Sequence, residues 1–527
     1  MKAQKFVVTD ENGKPFIMIA GEVHNSASSS AEFMEHIWDQ GKELGLNSLL
    51  LPVSWELIEP EEGHFSFSLI DQLIEQARKR QMRIGFLWFG AWKNAQCSYA
   101  PSWVKKNLAR FPRAEVEKGK NKIGLKDFYG FPYTTLSYLS EETNKADKKA
   151  FLEFLKHLKE KDKKNKTVVL VQIENETGLQ GAGREHSVKA DELFNQPVPK
   201  DFVDYMKNSL SSMKEDVKKA VEGGKKEGSW AEVFGECAEE IFSAYYIASY
   251  VEKLAKAGKE IYPLTYTVNC WLDKGAKPGV YPSGGPVGRM MEVWKYVGKD
   301  IDAVSPDIYV PNFCQICEEY KKLDNPLLIP ETAIHSYAGI RLVYTIGHYH
   351  AWCFSPFGFE DMGKPFGVIQ GFLFGMDISD PLLKTPQNPV EYAYYAKTLD
   401  SMKEMLASKY STSSLQAVSS EKKDQDTMVF SSFGFKVMRD LPYFNRKDSV
   451  CLILEKEEGE FFILGHTSMV IPFSVDPEKP NVDILEMEDG QFIEGKWHAD
   501  RRLNGDESSS ILLIEPSLVH LKLFNYR

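Results

Sequence analysis

The sequence predicts a (β/α)₈ barrel followed by an all-β domain. Eight short apolar runs alternate with helical patterns over the first three quarters of the chain, and helical periodicity ends near residue 410. The length of 527 residues agrees, since barrels of roughly 250 to 400 residues leave room for a smaller second domain. We therefore expect a barrel over residues 1–410 and a β-sandwich over residues 411–527.

The predicted barrel strands are rich in β-branched and apolar residues with little alternation, which is typical of parallel strands that are buried on both faces. In chain order they cover residues 16–20, 48–53, 84–89, 167–171, 261–268, 302–309, 326–330 and 351–355. Helical patterns occupy Phe33 to Leu44, Leu69 to Ala77, Phe151 to Leu158, about 200–222 and about 231–257, and a closing helix is expected at about 381–407.

The region after residue 410 shows paired strands and no clear helix. Residues 451–454 and 461–464 flank a polar turn, and residues 511–514 and 519–523 form a second pair. This pattern favours a sandwich. Three roles remain open for this domain: binding carbohydrate, making an oligomer contact, or bracing the barrel, which is the default.

Composition excludes several classes of partner. The net charge of −11 disfavours nucleic acid and anionic membranes, and it is compatible with a neutral sugar.

Seven cysteines, an odd number, argue against a disulfide framework and for a reducing compartment. Cys314 and Cys317 form a lone C-x-x-C without a second pair at zinc spacing, and we interpret it as the start of a helix.

Targeting signals are not evident in the sequence. The first residues lack the apolar core of a signal peptide, and no 18-residue apolar stretch occurs. We therefore expect a cytoplasmic protein, although a chain trimmed of its signal would look the same.

Two glutamates end predicted barrel strands. Glu176 follows the fourth strand and Glu331 follows the seventh. Active sites of such barrels lie at the carboxyl ends of the strands. Hydrolysis of a glycosidic bond requires at least two carboxyl groups. Glu174 would point the same way as Glu176 along a regular strand and is a rival, whereas Asn175 would point away unless the strand bulges.

Two motifs resemble clan A glycoside hydrolases. Residues 45–67, with Trp55-Glu56 and Glu59-Pro-Glu-Glu-Gly63-His-Phe-Ser-Phe67, are most similar to families 35 and 42, the retaining β-galactosidases. Residues 172–178, Gln-Ile-Glu-Asn-Glu-Thr-Gly, resemble the family 35 acid/base signature, with Thr177 in place of its aromatic residue. Residues 21–25 and 355–360 resemble a bacterial branch of family 35 with a C-terminal β domain.

The resemblance implies roles for three residues. Glu176 takes the position of the acid/base, Asn175 that of the neighbour that binds the sugar 2-hydroxyl, and Glu331 that of the nucleophile. The acid/base should have a raised pKa because a carboxylate lies nearby. The family's Cys-Ala-Glu motif for galactose is missing after strand three, where this chain has residues 88–94, Trp-Phe-Gly-Ala-Trp-Lys-Asn.

Further candidates lie near other strand ends. We expect Tyr309 to donate its hydroxyl to Glu331 and Trp352 to stack beneath the sugar. Other expected substrate contacts are Glu22, His24, Asn25, Trp55, Glu56, Lys93, Asn94 and Glu360. No His/Cys/Asp cluster has the spacing of a metal site, and the mechanism requires neither metal nor cofactor.

The predicted function is that of an exo-acting retaining β-glycosidase, foremost a β-galactosidase, with its two carboxyls roughly 5–5.5 Å apart. One alternative keeps the covalent intermediate but uses a sugar acceptor or a β-glucoside donor. Another is a carbohydrate-binding barrel without catalytic activity.

Overall fold

The predicted barrel is confirmed. A computed structural model describes residues 7–117, 120–121, 134–365, 367, 371, 385–422, 424–508 and 510–527. Eight parallel strands close in the order β1-β8-β7-β6-β5-β4-β3-β2. Their bounds are β1 Met18–Glu22, β2 Ser48–Ser54, β3 Arg83–Phe89, β4 Val168–Ile173, β5 Thr265–Trp271, β6 Ala303–Ile308, β7 Leu328–Thr332 and β8 Cys353–Pro356.

Helices surround this barrel. They are α1 Ala31–Glu43, α2 Trp55–Ile58, α3 Ser68–Lys79, α4 Ser102–Lys106, α5 Glu141–Asp162, α6 Val188–Asn195, α7 Lys200–Asn208, α8 Glu215–Gly223, α9 Trp230–Phe234, α10 Ala238–Ile261, α11 Met291–Val297, α12 Phe313–Tyr320, α13 Ala338–Tyr344 and α14 Pro389–Lys409. A short hairpin, Glu115–Glu117 and Lys120–Asn121, lies outside the barrel.

The helices depart from the predictions at three places. The pattern at 200–222 forms two helices, α7 and α8, rather than one. Phe33, the first apolar residue of the helical pattern predicted for α1, is 56% exposed and does not belong to its buried face. The closing helix α14 begins at Pro389, behind an Asn388 side chain that caps its first amides, and the predicted residues 381–384 lie outside the described ranges.

The C-terminal region consists of two antiparallel sheets, as predicted. Its strands are β9 Leu415–Ser419, β10 Thr427–Val429, β11 Phe433–Met438, β12 Val450–Glu457, β13 Glu460–His466, β14 Ser468–Ser474, β15 Asn481–Ile493, β16 Lys496–Arg502, β17 Ile511–Leu513 and β18 Ser517–Tyr526. Six strands form one sheet in the order β9-β12-β13-β18-β15-β16, and four form the other in the order β10-β11-β14-β17. The division at residue 410 stays a prediction.

Within the six-stranded sheet, β12 and β13 are buried on both faces over most of their length. Along β12, Val450, Leu452 and Leu454 belong to the core of the barrel, whereas Cys451 and Ile453 belong to a second core between the two sheets. Because successive side chains of a strand point to opposite faces, a continuous apolar run supplies both cores. The C-terminal sheets are therefore packed directly on the barrel.

The barrel meets this sheet through α13 and the π-helical turn Thr345–Tyr349 that follows it. At Gly347 a Cβ would come within 2.7 Å of the Ala417 Cβ and 2.8 Å of the Leu452 side chain, so the contact requires glycine. Beside it, Arg341 and Glu421 form a buried ion pair with 3.0 Å between the charged atoms. The interface combines close packing with a buried charge pair.

Two further expectations can be compared with the structure. The seven cysteines are free, and the C-x-x-C lies within α12, as predicted. Among the described residues, no helix has both the length and the apolar character needed to cross a membrane.

Candidate active site

Two buried glutamates line one cavity at the carboxyl ends of the barrel strands. Glu176 follows β4 and is 6% exposed, and Glu331 lies in β7 and is 5% exposed. The cavity is also lined by Asn25, Lys93, Asn94, Trp271, Leu272, Lys274, Asp307, Tyr309 and Phe357. The structure thus brings together the two carboxyls that the sequence singled out.

Strand register aligns the polar groups on one side of this cavity. Trp271 pairs with Asp307 across β5 and β6, and Asp307 pairs with Glu331 across β6 and β7. Residues that are paired in a sheet project to the same face. The three side chains therefore stand in one row at the mouth of the barrel.

The chain leaves β4 in an irregular conformation. Glu174 and Glu176 both have positive φ, 61° and 46°, a region that non-glycine residues rarely adopt. The Glu174 carboxylate turns back and accepts the Trp92 amide at 2.8 Å, while Glu176 lines the cavity. The expectation that both glutamates point the same way is therefore wrong, because the strand has already ended at Ile173.

Glu174 instead faces a second buried carboxyl, Asp147. Burial, followed by the charge of Asp147, raises the pKa of Glu174 well above its ordinary value. Asp147 itself accepts hydrogen bonds from the Trp88 indole at 2.9 Å and the Tyr250 hydroxyl at 2.8 Å. This pair lies behind the cavity and fixes the segment that carries Glu176.

Asn269, on β5, connects the two catalytic candidates. Its Oδ1 accepts the backbone N–H of Glu176 at 3.0 Å, and its Nδ2 donates to Asp307 at 2.8 Å and to Glu331 at 3.4 Å. One amide thus fixes the main chain beside Glu176 and supplies a donor to Glu331.

Glu331 also accepts a hydrogen bond from Tyr309, as predicted. The phenol oxygen lies 2.8 Å from Glu331 Oε2. Burial, and then the charge of Glu331, raises the pKa of Tyr309 well above its usual range, so the hydroxyl remains a donor. Tyr309 and Asn269 thus supply two hydrogen-bond donors that orient the Glu331 carboxylate.

The surroundings of Glu176 raise its pKa. Burial, and then the negative charge of Glu331, raises the pKa of Glu176 to about 7, against the lowering effect of Lys93. Its Oε2 accepts a hydrogen bond from the Asn94 amide. The raised pKa agrees with the expectation for a proton donor that works near neutral pH.

Lys93 supplies a buried positive charge to this acidic cavity. Its Nζ donates to Asn175 Oδ1 at 3.0 Å. Burial alone would lower the pKa of Lys93, but the carboxylates of Glu331, Glu176, Glu22 and Asp307 together hold it above its ordinary value.

Two more buried carboxyls, Glu22 and Asp307, lie close to this centre. Burial, and then the charge of Glu331, raises the pKa of both well above the ordinary range. Both carboxylate oxygens of Glu22 and Oδ1 of Asp307 have no hydrogen-bond partner among the described residues. Buried acceptors without partners are suited to receive hydroxyl groups from a ligand.

The other expected contacts divide between this cavity and a neighbouring groove. Asn25 and Asn94 line the cavity, whereas Asn175 is fully buried and reaches it only through Lys93. His24 and Glu360 line a separate groove. There the His24 amide donates to the Glu360 carboxylate at 3.0 Å, and its ring bonds Asp361 at 2.9 Å.

Three predicted contacts need correction. Trp352 precedes β8, at the amino-terminal end of the barrel, and packs edge-on against Tyr410, so it cannot stack beneath a sugar in the cavity. Trp55 is fully buried and donates to Glu59 at 2.9 Å. Glu56 pairs with Lys105 at 3.3 Å, away from the cavity.

Sequence reasoning missed Asn269, Trp271, Lys274 and Asp307. The fifth strand was predicted to end at residue 268, whereas it continues through Asn269 to Trp271. In the sixth strand the polar residue Asp307 was passed over in favour of Tyr309. A polar residue within a buried strand, close to its carboxyl end, was the signal that could have identified both Asn269 and Asp307.

Comparison with family models gives two matches. Residues 25–215 match a glycoside hydrolase family 42 model described as beta-galactosidase, and residues 393–515 match a domain of unknown function (DUF5597). The first match supports the predicted enzyme class, a glycoside hydrolase. It is to family 42, so the narrower resemblance to family 35 is not supported. Comparison with curated proteins gave no match.

The solved structures that this chain matches are distant in sequence. A β-galactosidase from Bacillus circulans sp. alkalophilus is 13% identical, with a TM-score of 0.46 over 75% of this chain and 57% of its own. A family 39 glycoside hydrolase from Bacteroides cellulosilyticus WH2 is 11% identical, with a TM-score of 0.42 over 95% and 80%. An exo-β-1,4-mannosidase from Opitutaceae bacterium strain TAV5 is 12% identical, with a TM-score of 0.44 over 77% and 63%. The chain spans 52% to 60% of the first three β-galactosidases.

Proposed function

We propose that this protein is a retaining exo-β-glycosidase that removes terminal β-galactosyl residues, with Glu331 as nucleophile and Glu176 as acid/base. The observation that carries the proposal is the unlike environment of two carboxyls in one cavity. Glu331 accepts hydrogen bonds from Tyr309 and Asn269, whereas the pKa of Glu176 is raised to about 7. Such a pair is what double displacement requires.

In the first step the Glu331 carboxylate attacks the anomeric carbon and the bond to the leaving oxygen breaks. Glu176 gives its proton to that oxygen, so the leaving group departs as an alcohol. Tyr309 and Asn269 orient the attacking carboxylate. The product of this step is a glycosyl ester of Glu331.

In the second step Glu176 acts as a base. The negative charge of Glu331 is one of the causes that raise the pKa of Glu176, and formation of the ester removes that charge. The pKa of Glu176 therefore falls, and its carboxylate takes a proton from water as the water attacks the anomeric carbon. The ester bond breaks, the sugar leaves with its original configuration, and both carboxyls return to their starting states.

The proposal of galactose rests on the family model that matches the first half of the barrel. The groups available to bind a terminal sugar are the carboxylates of Glu22 and Asp307, the Lys93 ammonium and the Trp271 ring. Trp271, at the carboxyl end of β5, offers the aromatic face that Trp352 cannot.

The test measures the hydrolysis of aryl β-glycosides and determines which anomer of the sugar is released. We expect turnover of an aryl β-galactoside with retention, and loss of turnover in Glu331→Gln. In Glu176→Ala, azide should restore release of a good leaving group and give a β-glycosyl azide, because an anionic nucleophile needs no base. In Glu331→Ala, azide should give the α-azide.

A matched control is Glu185→Gln. Glu185 is also a buried glutamate whose pKa burial raises to about 7, but it bonds Ser137 and does not line the cavity. Wild-type turnover in Glu331→Gln, or inversion of configuration in the wild-type product, would contradict the proposal.

A further inference from the structure

A second, much larger cleft lies beside the catalytic cavity. Its volume is about 1020 Å³, against about 80 Å³ for the cavity that holds the two carboxyls. This size is at the upper end of the range for ligand sites, roughly 300–1,000 Å³. One wall is formed by α8 and the start of α10, and the other by the loop after β5 and by Arg289.

The loop after β5 is a wall that the two sites share. Trp271, Leu272 and Lys274 line the catalytic cavity, while Asp273 and residues 275–278 line the cleft. A substrate that extends past this loop would therefore pass from one site to the other.

The cleft lies on the side of the proposed acid/base. The loop after β4 runs from Glu176 to Gly183, which lines the cleft. On the way it is joined to the loop after β5 by paired backbone hydrogen bonds of 2.9 Å between Leu179 and Ser283. In glycoside hydrolysis the acid protonates the leaving oxygen, so the leaving group lies on the acid's side of the sugar.

The base of the cleft contains polar groups with unused hydrogen-bonding capacity. Arg289 pairs with Asp216 at 2.6 Å and lies 3.3 Å from Glu240 Oε2. Glu240 is 1% exposed, and its Oε1 accepts the Tyr281 hydroxyl at 2.5 Å. Neither Glu240 Oε2 nor Arg289 Nε has a hydrogen-bond partner among the described residues. Buried groups of this kind are costly unless a ligand or water satisfies them.

The lining indicates the chemistry of the ligand. It contains four basic and six acidic side chains, which offer both hydrogen-bond donors and acceptors and leave a slight excess of negative charge. An anionic ligand is therefore disfavoured, whereas the hydroxyls of a neutral sugar can use both kinds of group. Five of the lining residues are glycines, at positions 183, 223, 224, 235 and 275, which leave space between the charged side chains.

We propose that this cleft binds the leaving-group portion of a neutral oligosaccharide whose terminal sugar occupies the catalytic cavity. The inference rests on the proposed function and adds to it a substrate class: chains of several neutral sugars rather than small alkyl or aryl galactosides. The shared loop, the position on the acid/base side and the buried polar atoms Glu240 Oε2 and Arg289 Nε at the base of the cleft carry it.

Gly223→Trp tests the inference by filling the cleft. Gly223 ends α8, and a Cβ there meets nothing within 4 Å, so an indole can enter the cleft without displacing a neighbour. We expect kcat/KM for a β-linked galactotetraose to fall at least tenfold, while that for an aryl β-galactoside stays within twofold of wild type. Gly223→Ala, which leaves the cleft open, should match wild type with both substrates.

A binding measurement separates this inference from the proposed function. Galactotetraose should bind Glu331→Gln in calorimetry, and Gly223→Trp added to that variant should weaken binding at least tenfold. Equal effects on long and short substrates, or unchanged binding, would overturn the cleft assignment alone. Absence of turnover with every glycoside would overturn the proposed function. Calorimetry would still show whether the cleft binds the oligosaccharide. If Gly223→Trp fails to fold, the double variant Lys219→Ala/Glu236→Ala removes two exposed lining side chains and should impair the long substrate selectively.

Discussion

Replacing Tyr309 with Phe removes one hydroxyl from the proposed nucleophile and leaves the ring in place. The hydroxyl donates to Glu331 Oε2 at 2.8 Å in a buried site, and Asn269 remains as a second, longer donor at 3.4 Å. A hydrogen bond to a charged group contributes about 1.5–3 kcal/mol. At roughly 1.4 kcal/mol per factor of ten, kcat/KM should fall about 10- to 150-fold.

The assay for Tyr309→Phe is the hydrolysis of an aryl β-galactoside with a good leaving group. Such a substrate needs little protonation by Glu176, so kcat/KM reports on attack by Glu331. Tyr410→Phe is the matched control, because its hydroxyl donates to the Ala351 carbonyl at 2.7 Å at the other end of the barrel. The control should lose stability and keep kcat/KM. A fall of less than twofold in folded Tyr309→Phe, or an equal fall in the control, would refute the assigned role of Tyr309.

Four further predictions concern the site and the core. Glu176 must be protonated to act as an acid, and burial raises its pKa to about 7. For a substrate with a poor leaving group, kcat/KM should therefore fall as pH rises through about 7. A flat pH profile of kcat/KM from pH 5 to 9 would count against Glu176 as the acid. Between pH 4.5, the ordinary pKa, and about pH 7, Glu176 is protonated in the folded chain and ionised in the unfolded chain. The free energy of unfolding should therefore fall as pH rises through that window. Urea titrations should show a smaller fall for Glu176→Gln. Trp271→Ala should raise KM for the aryl galactoside at least fivefold, because the indole that stacks on the sugar is lost, whereas Trp352→Phe should leave KM unchanged. The reverse result would mean that Trp352, and not Trp271, stacks on the sugar. Leu452→Ala, at the contact between sheet and barrel, should lower the free energy of unfolding by about 2–5 kcal/mol without changing kcat, and a loss below 1 kcal/mol would mean that this contact does not stabilise the fold.

The fold could be predicted from sequence because each barrel strand is buried on both faces and therefore appears as a continuous apolar run. The carboxyls Glu176 and Glu331 were found for a related reason, since each directly follows such a run. Tyr309 followed from its place at the end of the sixth strand, and its hydrogen bond to Glu331 is present.

What the sequence could not show depends on contacts between distant segments. Trp352 was misjudged because it was placed within an eighth strand at residues 351–355, whereas that strand begins at Cys353 and Trp352 precedes it at the amino-terminal end of the barrel. The opposite directions of Glu174 and Glu176 depend on two left-handed backbone conformations. Trp92, in the loop after β3, and Asn269, on β5, stabilise them. Neither partner is close to them in the chain.

The six-stranded sheet contributes side chains to two cores, and this restricts which substitutions its residues can accept among related proteins. A β domain attached by a flexible linker can be exchanged between enzymes, but here Leu452 and Ala417 fit against Gly347 with no room for a methyl group. A larger residue at position 347 requires a smaller one at position 417 or 452. We therefore expect the π-helical turn and strands β9 and β12 to covary among relatives, and the β domain to be inherited with its own barrel rather than recombined with others.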